Sequence, residues 1–543
     1  MTPSRFISFG VRHSALAILA ALCILGGALP SHAQDTVGVS KSRTTNELTS
    51  DLAVGSGRTL EAKAGSTVDL DAATVTLPGD ITRLGPEIAL ASEVTGTLPV
   101  ANGGTGASTA AAARSALEIP GTGRLGWLKS ILTVGRQSER LHIFADSTGN
   151  DTSDWPFQWA LLMAAAYPAY TVEYRPWDTG TDRWSSPTII QTGTAGVQSI
   201  TCSGGDCASL PASTAAMPSI ALDCAVDITL PDWTPAQSPT VLAGRFGGST
   251  SDRGWYLYIT STGLLGLQWS ADGSNILTQT GGTLSLADGA RRWVRVTLLF
   301  DNGAGAYEVK FFTSTNGSSW TQQGATVTGG ATTSIYESTQ PWQLLSRGTG
   351  AAVGAQIHRV RIRDGIDGRM IVPETVDRWN LGANGAYVGA PILDIRNGGY
   401  SGGSLATWSD ATRLGYALDG YDDQPHVITA LGHNQGGTGG ATYRTALDGH
   451  VTAVRAKASG AAFVMVNQNP QKPTYTHWRA HDRRMTVLAS WCAANSIPLI
   501  DAYRGFFEED PDLSTLVSGD GVHPTDAGYQ AWAGFVMREL DGS

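Results

Sequence analysis

Hydrolysis of an ester by a serine needs a nucleophilic hydroxyl, a base to take its proton, an acid residue to orient that base, and donors for the oxyanion. The sequence holds a candidate for each, and each sits where an apolar run ends. Ser147 stands in Ile143-Phe144-Ala145-Asp146-Ser147-Thr148-Gly149, after a strand-like run and before a helical one, so that its Oγ would emerge at a sheet edge. Asp-Ser-Thr after a strand is equally ordinary turn and helix-cap chemistry. His523 stands in Asp520-Gly521-Val522-His523-Pro524, ahead of a last helix whose first turn suits Pro524. Asp520 can accept from one ring nitrogen while the other faces Ser147, and an imidazole of ordinary pKa, ~6.5, is a usable base at neutral pH. Alone, that segment also reads as a helix-start turn with an exposed His.

Two further loops could supply oxyanion donors: Asn397-Gly398-Gly399-Tyr400-Ser401-Gly402, and Leu431-Gly432-His433-Asn434. Glycine lets a backbone N–H approach closely and an Asn amide donates from its side chain, although both loops have common compositions.

The elements that must position these residues are strands alternating with helices. LHIFAD is followed by TSDWPFQWALLMAAAY, with helical spacing of Trp155, Trp159, Leu162 and Met163, and then by the strand YTVEYRPW. After residue 380 the rhythm resumes with strands APILDIRN, HVITALGHN, AAFVMVNQNP and IPLIDAYRGFF between helices, which predicts a parallel sheet covered on both faces, its site at the carboxyl ends of the strands. Between these parts, residues 194–378 run as short strands separated by Gly, Asn, Asp and Ser turns, which predicts a sandwich of two antiparallel sheets.

In this order, the four chemical segments resemble the SGNH or GDSL hydrolases, whose motifs are Gly-Asp-Ser, a second-block Gly, Gly-x-Asn-Asp and Asp-x-x-His. The resemblance covers 136–193 and 379–543 and implies a three-layer, flavodoxin-like α/β hydrolase with an inserted all-β domain. It implies Ser147 as nucleophile, His523 as base and Asp520 as its orienting partner, with the N–H groups of Ser147 and Gly402 and the Asn434 side chain as oxyanion donors. The reaction implied is acyl transfer through an acyl-enzyme, with no organic cofactor and no metal. Ala145 departs from the family's Gly, and Gln435 stands where the family often has Asp, a change expected to alter loop support rather than the oxyanion donor.

ADGARRWVRVTLLFDNGAGAYEVKFFTSTNGSSW and HRVRIRDGIDG resemble a laminin-G or concanavalin-like jelly roll, which implies glycan binding or a purely architectural insertion. TGTLPVANGGTGASTAAAARSALEIPG, residues 95–121, resembles the segment before the receptor-binding heads of phage tail fibres. It implies that 34–122 form a trimeric connector, the alternative being a flexible linker.

Residues 1–33 carry Arg5, Arg12 and His13, an apolar run and Ser31-His32-Ala33, the order of a cleaved secretory signal; the run is short for an anchoring helix, and no later segment is apolar enough to span a membrane. In an exported chain Cys202 and Cys207, flanking Ser-Gly-Gly-Asp, could close a short disulfide, with a zinc site as the sharper alternative, while Cys224 and Cys492 read as buried thiols. The net charge of −10, without a dense basic stretch, argues against nucleic acid as a partner. The expectation is a secreted or virion-borne serine esterase that removes O-acetyl groups from surface polysaccharide. The competing readings are a secreted lipase or general esterase and an inactive glycan-binding adhesin.

Overall fold

The computed structural model describes residues 39–41, 46–48 and 124–541 apart from 237, 249–250, 346–352 and 437. The chain divides into two units, Met1–Glu118 and Ile119–Ser543. In the first, Val39–Lys41 pairs antiparallel with Asn46–Leu48. The expected signal and nearly all of the expected connector lie outside the described residues.

The second unit is built on a parallel sheet. Its strands are β1 (Glu139–Ala145), β2 (Thr171–Asp178), β3 (Ile392–Gly399), β4 (His426–Ala430), β5 (Ala462–Val466) and β6 (Leu499–Ile500), in the spatial order β6-β5-β4-β1-β3-β2. Two short strands, Arg183–Trp184 and Thr188–Gln191, pair antiparallel with β2 at the edge. The order reverses around β1, so the carboxyl end of β1 opens into the crevice where ligands of such sheets bind.

Burial on both faces explains the near-continuous apolar character of β1. Leu141, Ile143 and Ala145 point to one core with Trp155, Trp159 and Met163 of helix α1 (Trp155–Ala166). Phe144 points to the other, where it stacks on Trp408. Helix α1 starts at Asp154 with proline in its first turn. Leu162, placed by its spacing on the buried face, is instead 39% exposed. The two Trp residues and Met163 already fill that face.

Residues between β2 and β3 form two antiparallel sheets, of seven and nine strands, with one apolar core that includes Trp233, Trp255, Trp269 and Trp342. The expected boundary at 378 falls short of this region's end. Asn380–Leu381 and Gly385–Val388 still pair with Ala208–Leu210 and Ser199–Cys202, and the chain rejoins the parallel sheet only at Ile392. Cys202 and Cys207 form a disulfide, and Cys224 and Cys492 are buried free thiols.

A buried ionic layer, not an apolar one, joins the sandwich to the parallel sheet. Arg175 of β2 reaches Asp394 of β3 at 3.0 Å and Glu374 at 3.2 Å. Glu374 also takes Arg361 of the sandwich at 2.9 Å, and Arg359 pairs with Glu173 of β2. Burial alone would raise the Glu374 pKa, but Arg175, Arg361 and Arg359 outweigh it and hold the carboxyl well below its usual range.

Candidate active site

Ser147 follows β1 at the carboxyl edge of the sheet. Its Oγ lies 3.1 Å from His523 Nε2, although 376 residues separate the two. His523 Nδ1 lies 2.6 Å from Asp520 Oδ2, so serine, imidazole and carboxylate are bonded in series. The other oxygen, Asp520 Oδ1, accepts from Ser518 Oγ at 2.6 Å and from the Val522 and His523 N–H groups at 2.9 and 3.0 Å. Partial burial would raise the Asp520 pKa, but bonds from Ser518 and His523 outweigh it and keep the group ionised far below the ordinary carboxylate range. Side-chain exposures of 40% for His523 and 50% for Asp520 make this an open site.

The turn that carries Ser147 is held from inside. The Asp146 carboxylate, fully buried, accepts from the Thr148 N–H at 3.0 Å and from Thr148 Oγ1 at 2.8 Å. Its other oxygen accepts from Gln468 Nε2 at 2.6 Å. Ala145, the departure from the family's Gly, is accommodated by Gly149. A Cβ on Gly149 would come within 2.8 Å of the Ala145 methyl, so one of the two positions has to lack a side chain.

The two glycine-bearing loops reach the same edge. Tyr400 N–H donates to Ala145 O at 3.2 Å, and the Asn434 amide donates to Gly403 O at 3.0 Å. Among the described residues the second hydrogen of that amide has no partner. Gly402 is exposed at φ +73°, a conformation that favours glycine. Gly399 serves a close approach, since a Cβ there would lie 2.0 Å from Gly149 O.

Gln435 gives the Asn434 loop no side-chain bond through its buried amide nitrogen. Arg484 supports the loop instead, donating to Gly432 O at 3.1 Å and to Gly436 O. His433 is buried and stacked on His481 with ring centroids 4.3 Å apart. It accepts from Gln471 Nε2 at Nδ1 and bonds the Asn469 side-chain oxygen Oδ1 through Nε2, both at 2.9 Å. Burial lowers its pKa, keeping the ring neutral, and Asn469 passes the support on by donating to Val522 O at 2.8 Å beside His523.

Gln468 and Asn469 were missed by sequence reasoning. The signal was there: Asn467-Gln468-Asn469-Pro470 is a polar run at the carboxyl end of a buried strand. Among the described residues no group of three or more His, Cys, Asp or Glu could hold a metal ion, and no helix is long and apolar enough to cross a membrane.

A serine, a histidine and an aspartate bonded in series at the carboxyl edge of a parallel α/β sheet are the apparatus of a serine-type ester hydrolase. Residues 367–531 match the GDSL-like Lipase/Acylhydrolase family, and the chain is an ester hydrolase carrying a GDSL-like lipase/acylhydrolase domain. The match holds Gly402, Asn434, Asp520 and His523; Ser147 lies before it and joins the site through space.

Similar solved structures include a peptidoglycan O-acetylesterase, at 12% identity and TM-score 0.30, covering 77% of this chain and 95% of that one. A lipase/acylhydrolase from Enterococcus faecalis has 17% identity and TM-score 0.22, covering 28% of this chain and 77% of its own. An acetyl xylan esterase from Geobacillus stearothermophilus has 16% identity and TM-score 0.23, covering 28% and 73%. No curated protein matches the chain.

Proposed function

We propose that this chain is a carbohydrate O-acetyl esterase acting on surface polysaccharide, with Ser147 as nucleophile, His523 as general base and Asp520 as the residue that orients it. The observation that carries the reading is the continuous bonding from Ser147 Oγ through both ring nitrogens of His523 to Asp520. As Ser147 Oγ attacks the ester carbonyl, its proton passes to His523 Nε2, and the ionised Asp520 stabilises the imidazolium. The N–H groups of Ser147 and Gly402 and the Asn434 amide take the oxyanion. The alcohol leaves with the proton from Nε2, and water, deprotonated by the same nitrogen, releases acetate from the acyl-enzyme.

A polymeric substrate is favoured by how open the triad is, since a long acyl chain would call for an enclosed apolar pocket. The laminin-G-like character of the inserted sandwich favours a glycan. In this reading residues 1–33 direct export and 34–122 present the enzyme on a fibrous trimeric connector, secreted or on a virion.

The test compares hydrolysis of para-nitrophenyl acetate and para-nitrophenyl palmitate by wild type and Ser147→Ala. Acetate release abolished by the substitution, with little palmitate cleavage, supports the reading. Preference for palmitate favours a lipase, and background rates in both proteins leave an adhesin.

A further inference from the structure

Along the β2 edge of the parallel sheet, two chambers of about 590 and 400 Å³ lie against the nine-stranded sheet of the sandwich. They share Ser186, Ser318 and Arg361 as walls, so they form one cleft. One end, at Thr181 and Arg183, belongs to the hairpin that follows the carboxyl end of β2, the sheet edge that also carries Ser147. The other runs down past Thr171 and Ile392 at the amino ends of β2 and β3.

The walls are cationic in a protein that is not. Seven arginines and five carboxylates line the cleft, whereas the chain as a whole has a net charge of −10. Four of these arginines are spent in the ionic layer and Arg291 is held by Asp227 at 2.6 Å, which leaves two. Arg183 forms no ion pair among the described residues: its bonds go to the carbonyl oxygens of Asp367, Thr181 and Asp182, while its guanidinium sits 3.2 Å from the centre of the Tyr416 ring. Arg363 reaches Asp223 only at 3.4 Å, and Asp223 is already held by a two-pronged bond from Arg295 at 2.8 Å. Half-buried Trp184 and Trp320 add indole surface between these cations, with Ser185, Ser186 and Ser318 as hydroxyl partners.

Planar guanidiniums that bind carboxylates, aromatic surface for the apolar face of a pyranose ring, and hydroxyl donors in a long open groove suit one ligand class. We propose that the cleft binds an acidic polysaccharide, with Arg183 and Arg363 taking the carboxylates of uronate residues. The chain continues at the hairpin end toward Ser147. Behind that end Trp184 packs on Trp177, Trp177 on Trp408 and Trp408 on Phe144, a buried ring stack that fixes the hairpin to the strand preceding Ser147. The proposal deepens the esterase reading by naming its polymer.

The test separates the two. Binding of polygalacturonate oligomers to Ser147→Ala is measured by calorimetry, with and without Arg183→Gln and Arg363→Gln, beside uncharged xylo-oligosaccharides and inorganic polyphosphate. The expected result is polyuronate binding that weakens by about tenfold or more in the double arginine variant and falls steeply with salt. Para-nitrophenyl acetate hydrolysis by the same arginine variants with Ser147 intact should be unchanged; if the double variant is inactive there, Arg363→Gln alone decides. No polyuronate binding, equal binding by the arginine variants, equal affinity for the uncharged chain or equal competition by polyphosphate would each overturn the cleft assignment. A chain that hydrolyses the small ester but fails this test keeps the esterase reading, and one that binds polyuronate but hydrolyses nothing loses it.

Discussion

Gln468 Nε2 donates to the buried Asp146 carboxylate at 2.6 Å while its Oε1 accepts from the His433 N–H, so one side chain ties the Ser147 turn to the loop that carries Asn434. A third bond, from Nε2 to Ala430 O at 3.3 Å, fixes it to the end of β4. Each partner is itself buried, and neither loop can shift without breaking a bond that water cannot replace.

Gln468→Leu keeps the volume but leaves Asp146 and the His433 N–H short of a partner. The expected outcome is a stability loss of about 1–3 kcal/mol and a fall in kcat of roughly tenfold or more with KM little changed. Urea unfolding and steady-state kinetics on para-nitrophenyl acetate check the two effects. A drop in stability with kcat intact would show that Gln468 serves only the fold.

Asp520→Asn leaves the loop bonds to Ser518, Val522 and His523 nearly in place but removes the charge facing His523 Nδ1. It should lower kcat by on the order of 10⁴, as loss of the orienting carboxylate does in serine triads. Because Asp520 is held far below the ordinary carboxylate range, its protonation should not set the acid limb of the wild-type pH–rate profile.

Gly399→Ala should damage activity more than its single methyl suggests. The added Cβ meets Gly149 O at 2.0 Å, and the backbone at Gly149 forms the turn that aims Ser147. Loss of kcat with a near-native circular dichroism spectrum is expected. Unchanged kinetics would mean the turn yields freely.

The ionic layer predicts a pH-dependent stability. The Glu374 pKa is lower folded than unfolded, so its contribution is full above the unfolded value and is lost as pH falls toward the folded one. Wild type should therefore lose stability steadily below about pH 4.5. Glu374→Gln should cost about 3–5 kcal/mol at neutral pH, by stranding Arg175 and Arg361, and should flatten that acid dependence. Urea midpoints across the range test both statements.

The site was legible where chemistry is local. Asp520 and His523 share one loop ahead of the last helix, and Ser147 ends an apolar run, so each stands out by local pattern. What brings them within 3.1 Å across the insertion is the sheet order, which pattern does not carry. Gln468 escaped notice because its partners, Asp146 and His433, are distant in sequence. The ionic layer was illegible for a different reason. In Gln356–Asp364 the arginines 359, 361 and 363 alternate with apolar residues, which reads as one face in water, yet Arg359 pairs with Glu173 of the parallel sheet and Arg361 with Glu374, which Arg175 of that sheet also holds. Leu162 erred in the opposite direction, since helical spacing marks a face but not how much of it the neighbours cover.

The most direct test of the account is covalent. A fluorophosphonate that modifies activated serines should attach to the wild-type chain once, on the peptide carrying Ser147, in step with loss of para-nitrophenyl acetate hydrolysis. Ser147→Ala should take up none and His523→Ala far less. Modification of another serine, or activity that survives full labelling of Ser147, would contradict the assignment of the nucleophile.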